Sequence, residues 1–197
     1  MRLNMKKLIA LMFILLLPMM TFASPFGLKM GMSLKEVERE CTTKPVLVKD
    51  DFYIVKPKKV HPLFDSYLVF IDKFKGLYQI RAISSRITTN RYGAELQDTF
   101  IDVIRRISKT YGEPKIVDEL DSASIYKGDA DWLDALRNGA RTLAAVWGVD
   151  KSLKNNIASI TLECNADKIL LGGGAFLILY YYFENANKIA DDQDSVF

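Results

Sequence analysis

The sequence predicts an α+β fold, a largely antiparallel sheet with two or three helices packed on it, and three observations predict it. The first is Ala175–Phe183, AFLILYYYF, which holds no charge, Gly or Pro, and whose two alternating sets are both apolar or aromatic. A strand with one wet face alternates apolar with polar. The expectation is therefore a central strand covered on both faces, with strands either side. The second is Ala94–Tyr111, where Leu96, Phe100, Val103, Ile104, Ile107 and Tyr111 recur at steps of three and four, as on one face of a helix. The third is that the other strand-like runs are joined by short turns rather than by crossover helices, which argues against a βαβ fold.

Residues 1–23 read as a secretory leader. Arg2, Lys6 and Lys7 precede the apolar run Leu8–Leu17, Pro18 breaks it, and Thr21 and Ala23 are small residues placed for cleavage before Ser24. The run is short for a membrane span, which needs about 20 residues, so no stable membrane anchor is expected after cleavage between Ala23 and Ser24. The leader holds three of the 27 basic residues and none of the 24 acidic ones, which leaves 24 of each. That balance removes the charge argument for nucleic acid as a partner. What remains suits a single domain over 24–187, or two closely packed halves of about 24–90 and 91–187. Residues 188–197 are expected to form an acidic, flexible tail with Asp191, Asp192 and Asp194.

Along the chain, Ser33 and Glu36 have the spacing of a capping box. Leu34, Val37 and Cys41 share one face of the helix they open, and Pro45 ends it. Val46–Lys49 and Phe52–Lys56 read as strands around Lys49-Asp50-Asp51. Tyr67–Ile71 and Leu77–Ala82 read as a hairpin turning through 72–76. The long helix stops at Gly112 and Pro114, and a loop with Asp118, Glu119 and Asp121 is expected next. Asp129–Asn138 reads as a short helix closed by Gly139. Strands Thr142–Val149, Ile157–Glu163 and the central stretch complete the core. A helix precedes strands in each half, an order compatible with a distant internal duplication, although the residues do not repeat at a fixed spacing.

The sequence carries few residues suited to catalysis. His61 is the one histidine, in a Lys58-Lys59-Val60-His61-Pro62 segment expected to be an exposed loop. No G-x-S-x-G, H-E-x-x-H or P-loop occurs, and one His with two distant Cys does not make a usual zinc site. Asp129, Asp131 and Asp134 could hold a hard cation, but acids are also favoured at a helix start. Gly172-Gly173-Gly174 precedes a strand, so it reads as a hairpin turn rather than a phosphate cradle. Lys56, Lys58 and Lys59, and Arg105-Arg106, read as solvated basic faces. Tyr180, Tyr181 and Tyr182 read as core, with a ligand cleft as the alternative. No catalytic residue, metal ligand or cofactor is assigned.

Gly31-Met32-Ser33 followed by Val37 resembles the G-M-[ST]-x-x-x-V helix start of small envelope lipoproteins of the SmpA/OmlA type, which belong to the outer-membrane β-barrel assembly machine. The resemblance covers about fifteen residues. The family's following G-x-P turn is replaced here by Cys41-Thr42-Thr43-Lys44-Pro45, Gly112–Pro114 comes only after the second helix, and no lipid-bearing Cys follows the leader. The resemblance implies a bacterial envelope setting and protein binding.

The resulting expectation is an exported periplasmic or secreted protein without catalytic activity that binds a protein or other envelope partner. The alternatives are an envelope hydrolase using scattered carboxylates and a periplasmic immunity or inhibitor protein. Export to an oxidising compartment and the presence of two cysteines predict a Cys41–Cys164 disulfide.

Overall fold

The computed structural model describes residues 24–167, 174–187 and 189. The leader with its cleavage position at Ala23, the Gly172-Gly173 turn and the tail beyond 189 lie outside the described residues. No helix among the described residues is long and apolar enough to cross a membrane.

The fold is α+β. A nine-stranded sheet has the order β1-β2-β3-β4-β9-β8-β7-β6, with β5 pairing β9 off that path. Every pairing is antiparallel. The strands are β1 (Val46–Lys49), β2 (Phe52–Val55), β3 (Phe64–Asp72), β4 (Gly76–Ser84), β5 (Ile87–Thr88), β6 (Lys115–Leu120), β7 (Arg141–Trp147), β8 (Ile157–Ala166) and β9 (Gly174–Phe183). The helices are α1 (Leu34–Arg39), α2 (Ala94–Tyr111) and α3 (Trp132–Arg137). Helix α1 leads into β1–β4. Helix α2 leads into β6, α3 follows, and β7–β9 close the chain, so the last strand of each half meets the other at the centre.

Period-two alternation decides which side of each central strand is buried. Leu177, Leu179, Tyr181 and Phe183 of β9 face inward with Ile80 and Ala82 of β4 and Ile160 and Leu162 of β8. Helix α2 lies over β5, β8 and β9 and closes that face with Leu96, Phe100, Val103 and Ile107; α3 packs on β7 and β8. Ile104 and Tyr111, expected on the same stripe, are only partly buried.

The α1 start is built as its sequence suggests: Glu36 accepts hydrogen bonds from the Ser33 amide (2.8 Å) and hydroxyl (2.7 Å). The preceding Gly31-Met32 pair is held to the start of β4. The Gly31 amide donates to the Leu77 carbonyl (2.9 Å), and the Leu77 amide donates to the Met32 carbonyl (2.8 Å). This close approach is why Gly76 is glycine. Its φ is +70°, and a Cβ there would run into the Gly31 carbonyl.

Four expectations are corrected. Position 115–120 is a strand, not a loop: β6 forms the sheet edge and pairs with β7 from Lys115↔Val146 to Leu120↔Arg141. The central stretch is central in order but covered on one face only. Its even-numbered residues Phe176, Ile178, Tyr180 and Tyr182 remain half-exposed, because the helices all lie on the other side. Leu34, placed on the inner face of α1, is exposed, while Val37 is buried.

The fourth correction concerns the disulfide, which is not formed: Cys41 and Cys164 are free, buried thiols. Cys41 bridges Pro57, just past β2, whereas Cys164 pairs with Leu177 in β8. Strands β3, β4 and β9 stand between β2 and β8. At about 4.8 Å per strand that is roughly 19 Å along the sheet, against the Cα separation of about 7 Å that a bridge tolerates.

Candidate functional site

The side of the sheet away from the helices is the most distinctive surface. Register aligns Leu68, Arg81, Tyr180 and Thr161 in one cross-strand row, and Phe52, Phe70, Gln79, Tyr182 and Ser159 in another. Phe52 and Phe70 are stacked at 4.9 Å, and Tyr180 and Tyr182 at 6.1 Å. Between the two stacks lies Arg81, its guanidinium 5.3 Å from the Phe70 ring and 5.0 Å from the Tyr180 ring. These cation–π contacts use the faces of the rings and leave the guanidinium N–H groups unspent. Arg81 Nε is buried without a hydrogen-bond partner, and Arg81 makes no ion pair among the described residues.

One carboxylate joins this face. Glu163 pairs across the ladder with Ile178, one step along β9 from the Tyr180 side chain on the same face. Burial first, and then the Glu163 charge, push the Tyr180 phenol up to about 12. Burial likewise raises Tyr182, against the pull of Arg81. The face thus combines flat rings that offer contact area with one cation held between them.

A second feature lies on the opposite side, between α2 and the sheet. A cavity of about 130 Å³ is walled by Phe64, Val103, Ile107 and Leu179, with Phe26 and Tyr181 in edge-to-face contact at 6.0 Å. His61 also lines it, half-buried rather than in the exposed loop expected from sequence. Tyr67 holds that segment: its oxygen accepts the His61 amide (3.2 Å) and donates to the Phe64 carbonyl (3.2 Å). The Leu63 amide donates to His61 Nδ1 (3.2 Å), which puts the proton of the neutral ring on Nε2. Burial, and then Arg106 at the cavity rim, lower the His61 pKa from its ordinary value.

A third hollow, of about 490 Å³, gathers Asp50, Asp51 and Asp72 beside Lys73 and Phe74. Two of these acids already serve the fold. Asp72 accepts the Phe74 amide (2.8 Å) and the Lys75 amide (2.6 Å), and Asp51 accepts the Tyr78 hydroxyl (2.6 Å). Among the described residues no group of three or more His, Cys, Asp or Glu side chains could hold a metal ion.

Two of the three acids singled out at 129–134 serve local structure. Asp131 accepts the Gly128 amide (3.1 Å) at a 3₁₀ turn over Asp129–Asp131, and Asp134 pairs with Arg137. Lys56, Lys58, Lys59, Arg105 and Arg106 are all exposed. The three tyrosines are divided by the pleat: Tyr181 points into the core, Tyr180 and Tyr182 to the bare face. Arg81 was not legible as a site residue, since only the register reveals that it stands between two ring stacks. No family model, curated protein or solved structure matches the chain.

Proposed function

We propose that this chain is an exported, non-catalytic binding protein of the cell envelope that engages a protein partner through the bare face of its sheet. The observation that carries this reading is Arg81, set between the Phe70 and Tyr180 rings with its donors unspent. Tyr, Phe and Arg are the side chains enriched where protein interfaces concentrate their energy. A guanidinium desolvated on an apolar face is stabilised when a partner brings a carboxylate to it. The leader pattern at 1–23 supports an envelope setting. The hydrolase alternative draws less support, because an acid–base pair needs a carboxyl free to give a proton, and Asp51 and Asp72 both act as acceptors within the fold.

Photo-crosslinking tests this. Tyr180 and Phe70 are replaced singly by a photoreactive phenylalanine and irradiated in intact cells, with Lys109 on the outer side of α2 as the control. The expected outcome is one discrete adduct shared by both face positions, lost when Arg81→Glu is added. Adducts of the same pattern from Lys109, or none from the face, would sink the reading.

A further inference from the structure

We infer that the partner of the bare sheet face is a second copy of this chain, seated face to face and related by a two-fold axis that passes over β9; this rests on the reading of that face as the binding surface. The face carries its own complement. Arg81 in β4 is level with Tyr180 of β9, and Glu163 in β8 is level with Ile178. Strand β9 stands between β4 and β8. The point midway between Arg81 and Glu163 therefore lies over β9, between Tyr180 and Ile178. The two charges are two strands and two residues apart, roughly 12 Å at the usual spacings. Neither forms an ion pair among the described residues.

Consider a two-fold axis parallel to the sheet, over that midpoint and at right angles to the Arg81–Glu163 line. It exchanges the two ends of the line, so Arg81 of each copy stands over Glu163 of the other and both contacts form at once. Packed sheets lie about 10 Å apart, a gap that an extended Arg and a Glu span together. The strands of the two sheets then cross nearer to the orthogonal class of sheet packing than to the aligned one. Tyr180 and Ile178 flank the axis and meet their own counterparts. Around them Phe52, Leu68, Phe70, Ile83, Phe176 and Tyr182 supply half-exposed apolar surface. Six strand steps separate β2 from β6. That is about 29 Å, comparable with the side of the roughly 800 Å² patch that each partner gives a stable interface. Residues 24–197 hold 24 basic and 24 acidic side chains, so two copies carry no net charge to hold them apart. A purely acidic partner would answer Arg81 and leave Glu163 facing no cation. A lipid surface would bury both charges unpaired.

Sedimentation equilibrium of the purified chain tests this. The protein should dimerise with a Kd of about 10 μM or tighter. Arg81→Glu and Glu163→Arg should each weaken the dimer at least about tenfold, because both contacts then oppose like charges. An equimolar mixture of the two variants should recover association to within about threefold of the original, since every contact then joins opposite charges. Circular dichroism checks that each variant is folded; if Arg81→Glu is not, Glu163→Arg alone reads the same contact. Three results would overturn the inference: a monomer at about 100 μM, a folded variant that dimerises as tightly as the original, or a mixture that associates no better than either variant alone. Failure here is distinct from failure of the binding reading. A chain that stays monomeric, while the adduct crosslinked in cells has a mass other than twice its own, overturns the self-pairing and leaves the face as a binding surface for another protein.

Discussion

Cys164 sits in β8 with its thiol facing the core, and burial pushes both it and Cys41 above the ordinary thiol value. Such thiols are protonated and slow to react. Native protein should therefore react poorly with Ellman's reagent, and unfolded protein should show two free sulfhydryls with or without prior reductant. A count that rises only after reduction would contradict the free thiols. Compartment and arithmetic suggested a bridge, but neither contains distance, and the strands between β2 and β8 are invisible until the sheet order is known. Gly76 makes a second residue-scale case. Gly76→Ala combines a left-handed φ with a collision against Gly31 and should cost about 2–4 kcal/mol in urea unfolding. A milder loss would mean that residues 31–32 are free to move away from β4.

At the scale of the element, α2 was legible in its 18 residues and in Leu96, Phe100, Val103 and Ile107 of its buried face, while Ile104 and Tyr111 of the expected stripe are only partly buried. Phe100→Ala should cost about 3–5 kcal/mol, and Ile104→Ala less, because Ile104 is only partly buried. Asp102→Ala should cost under about 1 kcal/mol, since its ion pair with Arg105 is exposed. Urea melts of the three variants check that order. The β6 strand was not legible. KIVDEL lies at the sheet edge with five of its six residues exposed, so burial imposes little alternation on it. The central stretch misled in another way. Its outward residues are as apolar as its inward ones, and periodicity cannot distinguish a helix-covered face from one left bare. The Arg81 site shares that limit, because its parts come from β2, β3, β4 and β9 and meet only through register.

Across the whole molecule, tyrosines collect in and against the sheet, and six of the nine have raised phenol pKa values: Tyr67, Tyr78, Tyr111, Tyr180, Tyr181 and Tyr182, with burial the largest cause in each. Phenols of the unfolded chain lose their protons near pH 10, whereas these titrate later when folded. Above about pH 10 the unfolded state thus binds fewer protons than the native one, so stability is full below that pH and falls as pH rises toward 12 and beyond. Thermal melts at stepped alkaline pH, read with tyrosinate absorbance, should show stability falling as phenolate appears; a melting temperature flat to pH 12 would contradict it. The seam between β4 and β9 has its own consequence. It pairs Ile83 with Ile178, closing a loop of roughly a hundred residues, while β1–β4 are linked by short turns and β6–β9 pair within their own half. Two separate polypeptides, 24–89 and 90–187, should therefore reassemble when mixed. Neither alone should stay monomeric, since each would carry a long unpaired central edge, β4 or β9, open to stray pairing. Their union would amount to fragment complementation, with a split reporter fused to the cut ends lighting up only when β4 and β5 close their ladders onto β9.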